Sequence, residues 1–284
     1  MPELPEVETM RRGIASIVGS RIEDLRIPPS PLRPITIKPP LAEFRRRIVG
    51  RTVASVGRVG KRVVVELDSA DRIAIEPRMT GRVLLGRPPD GKHLRLVFEL
   101  SRSQPGRPAE QLMFWDSRGL GVARLLTPEE FDRHLGNSKL GPDALEITAD
   151  ELRRRLGRSR RAVKVALLDQ SVLAGVGNLY ASEILHRARV HPAVPCRRIR
   201  PIQWSRIHAA MLEILHEAIA MQGSTLADGM YRTVDGESGR FQEFHFVYQR
   251  AGQVCRQCRR ARIVRIVQSQ RSSFYCPKCQ RWRG

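Results

Sequence analysis

The chain begins Met1-Pro2-Glu3-Leu4-Pro5-Glu6-Val7-Glu8. Pro5 suits the first position of a helix, and Glu6 and Glu8 then lie in the first turn, where the helix dipole favours carboxylates. Apolar residues follow at helical spacing, at Val7, Met10, Ile14 and Ile17. This stretch therefore predicts an amphipathic helix at the N-terminus of the chain, with Pro2 and Glu3 immediately before it.

Removal of Met1 would leave Pro2 as the first residue, with a secondary amine as the chain terminus. An α-amino group has a pKa of about 7.7 to 8.0, so part of it is unprotonated near neutral pH, whereas a lysine has a pKa near 10.4. Such an amine can add to a carbonyl carbon and form an iminium ion without a cofactor. Proline is also common at position 2 for no catalytic reason, and the first eight residues alone leave both interpretations open.

The stretch that follows the first helix predicts a β-sandwich. It contains short β-branched and aromatic segments separated by turn residues, as expected for strands that pack in two layers. The loops at 28–40, 86–91 and 105–108 are rich in proline and glycine, and the last of them is expected to be exposed and mobile. The predicted strands are Thr52–Val56, Arg62–Leu67, Ile73–Glu76, Val83–Leu85, Leu94–Leu100, Gln111–Trp115 and Val122–Leu126.

Beyond residue 127 the pattern is helical. Thr127-Pro128-Glu129-Glu130 combines an N-cap, a proline at the first helical position and a capping-box glutamate, and Thr148 with Glu151 repeats the box. Further helices are predicted at 161–169, 178–189 and 203–221. A domain boundary is therefore expected near residues 127–141.

Four cysteines near the C-terminus predict a structural zinc site. Cys255 and Cys258 form one Cys-x2-Cys knuckle and Cys276 and Cys279 a second, with 17 residues between them. This spacing is typical of a zinc ribbon, and two disulfides are the less favoured alternative in a chain without a secretory signal. Segments 263–267 and 273–275 can form a hairpin with Gln270-Arg271 at or near its turn. Cys196, in a proline-rich loop, is interpreted as an incidental free thiol.

The charge of the chain indicates a polyanionic partner. The 284 residues carry a net charge of +21, and residues 250–284 contain ten Lys and Arg and no Asp or Glu. Nucleic acid is the favoured partner. A membrane surface is a weaker alternative because the basic tail contains cysteines and lacks an amphipathic helical pattern. No segment is apolar enough for a membrane span, and we expect two domains or more in a cytoplasmic protein.

The segment Leu173-Ala174-Gly175-Val176-Gly177-Asn178-Leu179-Tyr180-Ala181-Ser182-Glu183 connects one apolar helix to the next. Its two glycines permit a tight double turn, and backbone N–H groups at the start of the second helix could approach a phosphate. Taken alone, the segment fits any helix–turn–helix connection.

Together these segments resemble the formamidopyrimidine-DNA glycosylase family, bacterial base-excision repair enzymes that characteristically begin Pro-Glu-Leu-Pro-Glu-Val-Glu. The resemblance extends over the whole chain. It implies an α+β fold with three parts: an N-terminal helix and catalytic β-sandwich (1–130), a helical helix-two-turns-helix domain (131–245), and a four-cysteine zinc ribbon built on a β-hairpin (246–284). One structural Zn2+ is the implied cofactor.

The resemblance also assigns roles to individual residues. Pro2 would be the nucleophile, Glu3 the proton donor beside it, and Lys61 would contact the phosphates that flank the lesion. Asn178 of the Gly-Val-Gly-Asn pattern would contact the DNA backbone. The resemblance further implies DNA binding by His93 and Lys164, and the position of Arg271 at or near the hairpin turn predicts that its guanidinium reaches a phosphate. For Glu6, a function and a simple helix-start carboxylate remain equally open.

Two segments depart from the family pattern. The usual His-Leu-Gly-Met-Ser-Gly is here Glu76-Pro77-Arg78-Met79-Thr80-Gly81, and Asp-Pro-Arg-Arg-Phe-Gly is Asp116-Ser117-Arg118-Gly119-Leu120-Gly121. The family fills the space left by an extruded base with Met, Arg and Phe, and the residues here at those positions are Met79, Arg118 and Leu120. A glycine-rich segment from 223 to 241 resembles the family's flexible loop over the extruded base.

The function implied by the resemblance is that of a bifunctional DNA glycosylase and abasic-site lyase for oxidised purines such as 8-oxoguanine and formamidopyrimidines. Its implied partner is damaged double-stranded DNA, and we expect a monomer associated with the nucleoid. An endonuclease VIII-type enzyme for oxidised pyrimidines is the nearest alternative, which the Pro-Glu-Leu-Pro-Glu-Val-Glu start disfavours. A protein that binds DNA damage without catalysis is the other alternative.

Overall fold

The computed structural model describes residues 2–101, 111–136, 139–226 and 229–282. It separates into two compact units, one of residues 1–136 and 221–240 and the other of residues 137–220 and 241–284. The predicted mobile segment at 105–108 lies outside the described residues.

Helix α1 (Leu4–Gly13) begins at the predicted N-terminal segment. Glu3 is its N-cap, Pro5 stands in the first turn, and the side chain of Glu6 reaches back to the N-cap backbone. Val7, Met10 and Ile14 are fully buried in the core of the sandwich, as the spacing predicts. A short 3-10 turn at Ala15–Ile17 follows and leads into the first strand.

Among the described residues of this unit, nine strands form the two predicted layers of the sandwich. One sheet has the order β1-β7-β8-β6 and the other the order β2-β9-β5-β4-β3. The inward side chains of both sheets share one apolar core with α1. The strands are β1 (Ile22–Arg26), β2 (Thr36–Lys38), β3 (Val53–Val59), β4 (Arg62–Leu67), β5 (Arg72–Glu76), β6 (Arg82–Leu85), β7 (Leu94–Leu100), β8 (Gln111–Trp115) and β9 (Val122–Leu126).

Three elements of this unit were not predicted from the sequence. Strand β1 buries only Ile22 and Leu25, β2 is three residues long, and helix α2 (Leu41–Ile48) buries only Phe44 and Ile48 between charged residues. Their apolar patterns are too short or too sparse for detection by periodicity. Helix α3 (Pro128–Leu135) follows β9, and the predicted capping box of Thr127 and Glu130 is confirmed.

Residues 221–240 belong to the same compact unit as the sandwich, although the division predicted from sequence placed them with the helical domain. The reason is a set of long-range contacts that local patterns do not show. Tyr231 lies in the sandwich core and Val234 packs against that core. The backbone N–H of Ser224 donates a hydrogen bond to the side chain of Glu6 in α1. The division into three domains itself stays a prediction.

The second unit contains four helices among its described residues: α4 (Ala149–Leu156), α5 (Val163–Leu167), α6 (Asn178–Arg187) and α7 (Pro201–Ala220). The predicted hairpin is formed by β10 (Val264–Gln268) and β11 (Arg271–Tyr275). Its small core consists of Val247, Ile263 and Phe274 with two of the cysteines. None of the helices in the described part of the chain is long and apolar enough to cross a membrane.

Candidate active site and nucleic-acid interface

Pro2 and Glu3 are both buried immediately before helix α1. The backbone N–H of Glu3 donates to Oε2 of Glu6 at 2.9 Å, which holds the terminal segment against the first turn. The positive end of the α1 dipole favours the neutral form of a nearby amine, which is the nucleophilic form. The structure thus places Pro2 and Glu3 together in a buried segment at the start of α1, and removal of Met1 would turn the Pro2 nitrogen into a terminal amine there.

Glu6 connects this segment to residues 221–226. Its Oε1 accepts a hydrogen bond from the backbone N–H of Ser224 at 2.8 Å, while its Oε2 accepts that of Glu3. Gly223 has φ +79°, and a Cβ there would lie 2.8 Å from Oε1 of Glu6, so the close approach requires glycine. Glu6 is therefore more than a helix-start carboxylate, because it joins the N-terminal segment to the glycine-rich loop.

Lys61 stands in the turn Gly60-Lys61 between β3 and β4, and it is half-buried. Gly60 has φ +57°, and its carbonyl accepts a hydrogen bond from Nη1 of Arg58 at 2.8 Å. Strands β3 and β4 remain paired as far as Val59 and Arg62, the residues on either side of the turn, so the turn is tightly held. Its predicted contact with phosphate stays a prediction.

The two segments that depart from the family pattern are joined by Asp116. This fully buried carboxylate accepts the hydroxyl of Thr80, the backbone N–H of Arg118 at 3.1 Å and that of Gly121 at 2.8 Å. Thr80 supplies the hydroxyl that the family's serine would supply. These hydrogen bonds fix the backbone of both segments. The side chains of Met79 and Arg118 are exposed to solvent, and Leu120 is half-buried.

Glu76 replaces the family's histidine, but its charge is compensated within the fold. Its Oε2 lies 2.8 Å from Nη2 of Arg62 and its Oε1 lies 2.7 Å from Nε of Arg78. Because both carboxylate oxygens have guanidinium partners, the substitution does not leave an uncompensated negative charge in this segment.

His93 is half-buried and belongs to a small polar cluster. Its Nδ1 lies 2.9 Å from Oδ1 of Asp90, and its ring packs edge-on against Trp115 at 5.3 Å between ring centres. The expected DNA contact of His93 stays a prediction.

Lys164 lies in the second unit, and only 1% of its surface is exposed. Its Nζ donates to Oδ1 of Asn178 at 2.7 Å, to the carbonyl of Ser272 at 2.9 Å and to Oγ of Ser273 at 2.8 Å. The Nδ2 of Asn178 also donates to the carbonyl of Ser272. Three acceptors match the three N–H groups of an ammonium, so Lys164 joins the start of α6 to the hairpin.

The hairpin turn presents Arg271 to solvent. Ser269 and Gln270 both have positive φ, as in a tight two-residue turn, and Gln268 pairs with Arg271 across it. The loop before α6 turns at Gly175, which has φ +104° and donates its N–H to Oε1 of Gln170. Asn178 and Arg271 are thus held by one buried network through Lys164 and Ser272.

The four predicted cysteines come together. Their sulfur atoms all lie within 4.8 Å of one another, with Cys255 and Cys279 at 3.9 Å and Cys258 and Cys276 at 3.7 Å. Zn–S bonds of about 2.3 Å in a tetrahedron place sulfurs roughly 3.8 Å apart, whereas a disulfide needs about 2.05 Å. The donor set therefore fits one Zn2+. Cys196 is buried away from this cluster, and burial raises the pKa of its thiol to about 11.

Two further residues of α6 hold the zinc ribbon, and the sequence analysis missed both. Glu183 is buried and accepts the backbone N–H groups of residues 246, 247 and 248 at 2.7 to 3.0 Å. His186, one turn later, places Nε2 at 3.7 Å from Sγ of Cys255 and stacks on Phe246. Ionisable residues at i and i+3 on an apolar helix face were the available signal.

Replacement of His186 with Phe is expected to weaken zinc retention. A zinc-bound thiolate carries no proton, so the ring N–H is the donor to Cys255, and phenylalanine keeps the stacking ring while it removes that donor. Loss of a partner around a metal ligand typically costs about 10- to 100-fold in metal affinity. Competition with a chromophoric chelator measures the change. Equal zinc retention in the two proteins would contradict a role for this hydrogen bond.

Comparison with known protein families matches these regions in order. Residues 1–123 match the formamidopyrimidine-DNA glycosylase N-terminal domain and residues 140–229 its H2TH domain. Residues 252–281 match the zinc finger found in FPG and IleRS. The formamidopyrimidine-DNA glycosylase of Bacillus subtilis is 38% identical over 99% of both chains. That of Acidothermus cellulolyticus is 40% identical over 99% of this chain and 97% of its own length.

Solved structures agree with the sequence relatives. The Lactococcus lactis Fpg in complex with DNA that contains an abasic site superposes with a TM-score of 0.86 at 28% identity, over 99% of this chain and 100% of that one. A complex of the same protein with DNA that contains Fapy-dG gives a TM-score of 0.85 with the same identity and coverage. With its paired cysteines, its glycine-rich helix start and its N-terminal Pro-Glu segment, the chain belongs to the formamidopyrimidine-DNA glycosylase family.

Proposed function

We propose that this protein is a DNA glycosylase and abasic-site lyase that removes oxidised purines, including 8-oxoguanine and formamidopyrimidines, from duplex DNA. The observation that carries the proposal is the buried pair Pro2 and Glu3 at the start of α1, in a chain that belongs to this family over its whole length. The four-cysteine zinc site supports the same activity, because it holds the hairpin that presents Arg271.

The chemistry follows from the two residues at the terminus. The Pro2 nitrogen attacks C1′ of the damaged nucleotide, and the C1′–N bond breaks so that its electron pair leaves with the base. The attacking amine loses its proton, and a proton neutralises the departing base anion, so the Pro2 nitrogen again has a lone pair for the next step. Glu3 donates a proton to the sugar oxygen as the ring opens, and the iminium ion forms at C1′. This cation acidifies the C2′ proton, so its removal expels the 3′ phosphate, and a second elimination expels the 5′ phosphate. Water then releases Pro2.

Cleavage of a lesion panel tests the proposal. Duplexes with 8-oxoguanine, formamidopyrimidine, an oxidised pyrimidine or a preformed abasic site are compared under single-turnover conditions. We expect the purine lesions to be excised fastest and the strand to be cut at both phosphates. Preferential excision of the oxidised pyrimidine would indicate an endonuclease VIII-type enzyme, and binding without cleavage would indicate a damage-binding protein.

The roles of single residues form part of the same proposal. Lys61, His93, Asn178 and Arg271 contact the DNA backbone, and Lys164 acts on the backbone through the position of Asn178 and the hairpin, since its own ammonium is buried. Met79, Arg118 and Leu120 fill the space left by the extruded base. We further infer three domains at 1–130, 131–245 and 246–284, and a monomer that acts in the cytoplasm at the nucleoid.

The phosphate contacts lead to a prediction about salt. Lys61→Ala and Arg271→Ala should each weaken binding to damaged and undamaged duplex equally, because phosphates carry no sequence or lesion information. Each should reduce the slope of log affinity against log salt by about 0.9, the value for one phosphate contact. Fluorescence anisotropy at several salt concentrations measures this. Lys38→Ala, at an exposed lysine that has no proposed DNA contact, is the control and should leave the slope unchanged.

The proposed space-filling residues should behave differently. Met79→Ala and Arg118→Ala should bind undamaged duplex nearly normally but excise 8-oxoguanine more slowly, by roughly 10- to 100-fold, since extrusion of a base costs a few kcal/mol. A preformed abasic site has no base to extrude, so its cleavage should be less affected. Leu120→Phe should change the discrimination among opposite bases. An equal loss of affinity of Met79→Ala for all DNA would contradict this assignment.

A further inference from the structure

A groove on the second unit collects arginines that the proposed chemistry does not use. It has a volume of about 530 Å³, and its walls carry the side chains of Arg153, Arg154, Arg158 and Arg197 with the single carboxylate of Asp150. All four arginines are exposed. Guanidinium groups that share one groove repel each other. An anion bound in the groove would offset this electrostatic repulsion.

The arginines come from three separate segments that the backbone holds together. Arg153 and Arg154 lie in the last turn of α4, Arg158 lies in the linker after it, and Arg197 lies in the short turn Cys196–Arg198. The N–H of Arg197 donates to the carbonyl of Ser159 at 3.0 Å, and that of Cys196 to the carbonyl of Arg161 at 3.0 Å. The linker and the turn therefore run side by side as a rigid pair.

The four arginines differ from their neighbours in ion pairing. Arg155 pairs with Glu151 and Arg161 with Asp169, both at 2.8 to 2.9 Å. None of the four groove arginines forms an ion pair with any residue that the structure describes. The negative end of the α4 dipole explains arginines in its last turn, but it does not explain Arg158 and Arg197, which lie outside the helix.

The walls of the groove indicate which polyanion fits. Arginine binds phosphate oxygens through paired N–H groups, and a row of them can follow a sugar–phosphate backbone. Proteins that bind single strands add exposed aromatic rings on which bases stack. The aromatic side chain of this groove, Trp204, is only 2% exposed and offers no such surface. A double-stranded backbone therefore fits better than a single strand.

We propose that this arginine groove binds the phosphate backbone of duplex DNA independently of any lesion, in addition to the contacts of Lys61, Asn178 and Arg271. The inference rests on the proposed function only in that DNA is taken as the substrate. Its consequence is a larger salt dependence and a higher affinity for undamaged duplex than the lesion-proximal contacts alone would give.

The experiment compares two variants that lose the same formal charge. The groove variant is R153Q/R154Q/R158Q/R197Q. The control variant is R26Q/R45Q/R47Q/R72Q, whose arginines lie in the first unit and are each paired with a carboxylate. Affinity for an undamaged duplex of about 30 base pairs is measured for both variants and the unaltered protein over a range of salt concentrations.

We expect the groove variant to lose between two and four units of salt slope, from about 0.9 per phosphate contact, and at least tenfold in affinity near 0.1 M salt. The control variant should lose less than half as much. Equal losses in the two variants would overturn the proposal, because they would show an effect of net charge alone. A greater loss for single-stranded DNA or for polyglutamate than for duplex would overturn it as well.

The pairwise variants R153Q/R154Q and R158Q/R197Q keep the test decisive if the fourfold variant folds poorly, and each should lose about half of the slope. Circular dichroism melting of every variant checks the fold. Excision by the unaltered protein is scored separately. Failure of excision with normal groove binding would refute the proposed function and leave the groove in place, whereas the reverse result would refute only the groove.

Discussion

A chain that keeps one extra residue before Pro2 is expected to lose base excision and strand cleavage almost completely, by on the order of a thousandfold or more in rate. The added residue turns the Pro2 nitrogen into an amide, whose lone pair is delocalised into the carbonyl and cannot attack C1′. Single-turnover cleavage of an 8-oxoguanine duplex measures the effect. Affinity for a duplex with an uncleavable abasic-site analogue should change little.

A matched variant separates the amine from its neighbour. Glu3→Gln keeps the size of the side chain but cannot exchange a proton with the sugar oxygen at neutral pH, so excision should also fall steeply while the Pro2 amine stays available. Undiminished excision by the extended chain would mean that another amine is the nucleophile. Lys61 would then be the first alternative, and Lys61→Ala in the extended chain would test it.

Loss of zinc is expected to have the second-largest effect, because it removes more than the ribbon. Without the metal the hairpin core of Ile263 and Phe274 loses its cross-link, and Arg271 is no longer held at the turn. Lys164 also loses the acceptors at Ser272 and Ser273. The start of α6 should loosen too, because Lys164 then no longer joins Asn178 to the hairpin.

Cys276→Ser tests this expectation with Cys196→Ala as the control. Cys276→Ser should retain well under one zinc per chain, bind duplex at least about 100-fold more weakly and exchange amide hydrogens faster at the start of α6, since structural zinc supplies folding free energy. Cys196→Ala should keep one zinc and normal exchange in that helix. Undiminished DNA affinity in a zinc-free Cys276→Ser protein would show that the ribbon is not part of the binding surface.

The elements that were predicted correctly from sequence are those with local signals. Helix α1 begins with a proline and two glutamates, α3 has a complete capping box, and the zinc ribbon has its cysteines at regular spacing. The two helix signals arise from contacts within one turn, and each cysteine knuckle is a pattern of four consecutive positions, so all three are visible locally in the sequence. Strands β3 to β9 were found because their apolar residues repeat over five or more positions in most cases.

The features that were missed depend on contacts between distant residues. Lys164 shows in the sequence as a lysine at a family position, but only the fold reveals that it bonds to Ser272, 108 residues later. The hydrogen bond from the backbone N–H of Ser224 to Glu6 joins residues that are 218 positions apart. It is one of the contacts that place the glycine-rich loop in the same compact unit as the sandwich. The local sequence pattern of neither segment predicts these partners.

Glu76 illustrates how the fold changes the meaning of a substitution. In the sequence alone, Glu76 is a carboxylate at the position of the family's histidine, with no identifiable partner for its charge. In the structure Arg62 and Arg78 pair with both of its oxygens, and these two arginines lie 14 positions before it and two after it. The substitution and its compensation are both visible in the sequence, but strand register is needed to pair them.

The central claim is that the Pro2 nitrogen forms the covalent bond to DNA, and borohydride trapping tests it most directly. The protein from which Met1 has been removed is incubated with abasic-site DNA and sodium borohydride. The iminium is reduced to a stable amine, and the adduct is digested and mapped by mass spectrometry. We predict a one-to-one adduct in which the sugar is attached to the N-terminal peptide at the Pro2 nitrogen. An adduct at Lys61 or any other lysine, or a protein that cleaves abasic DNA without forming an adduct, would contradict the account.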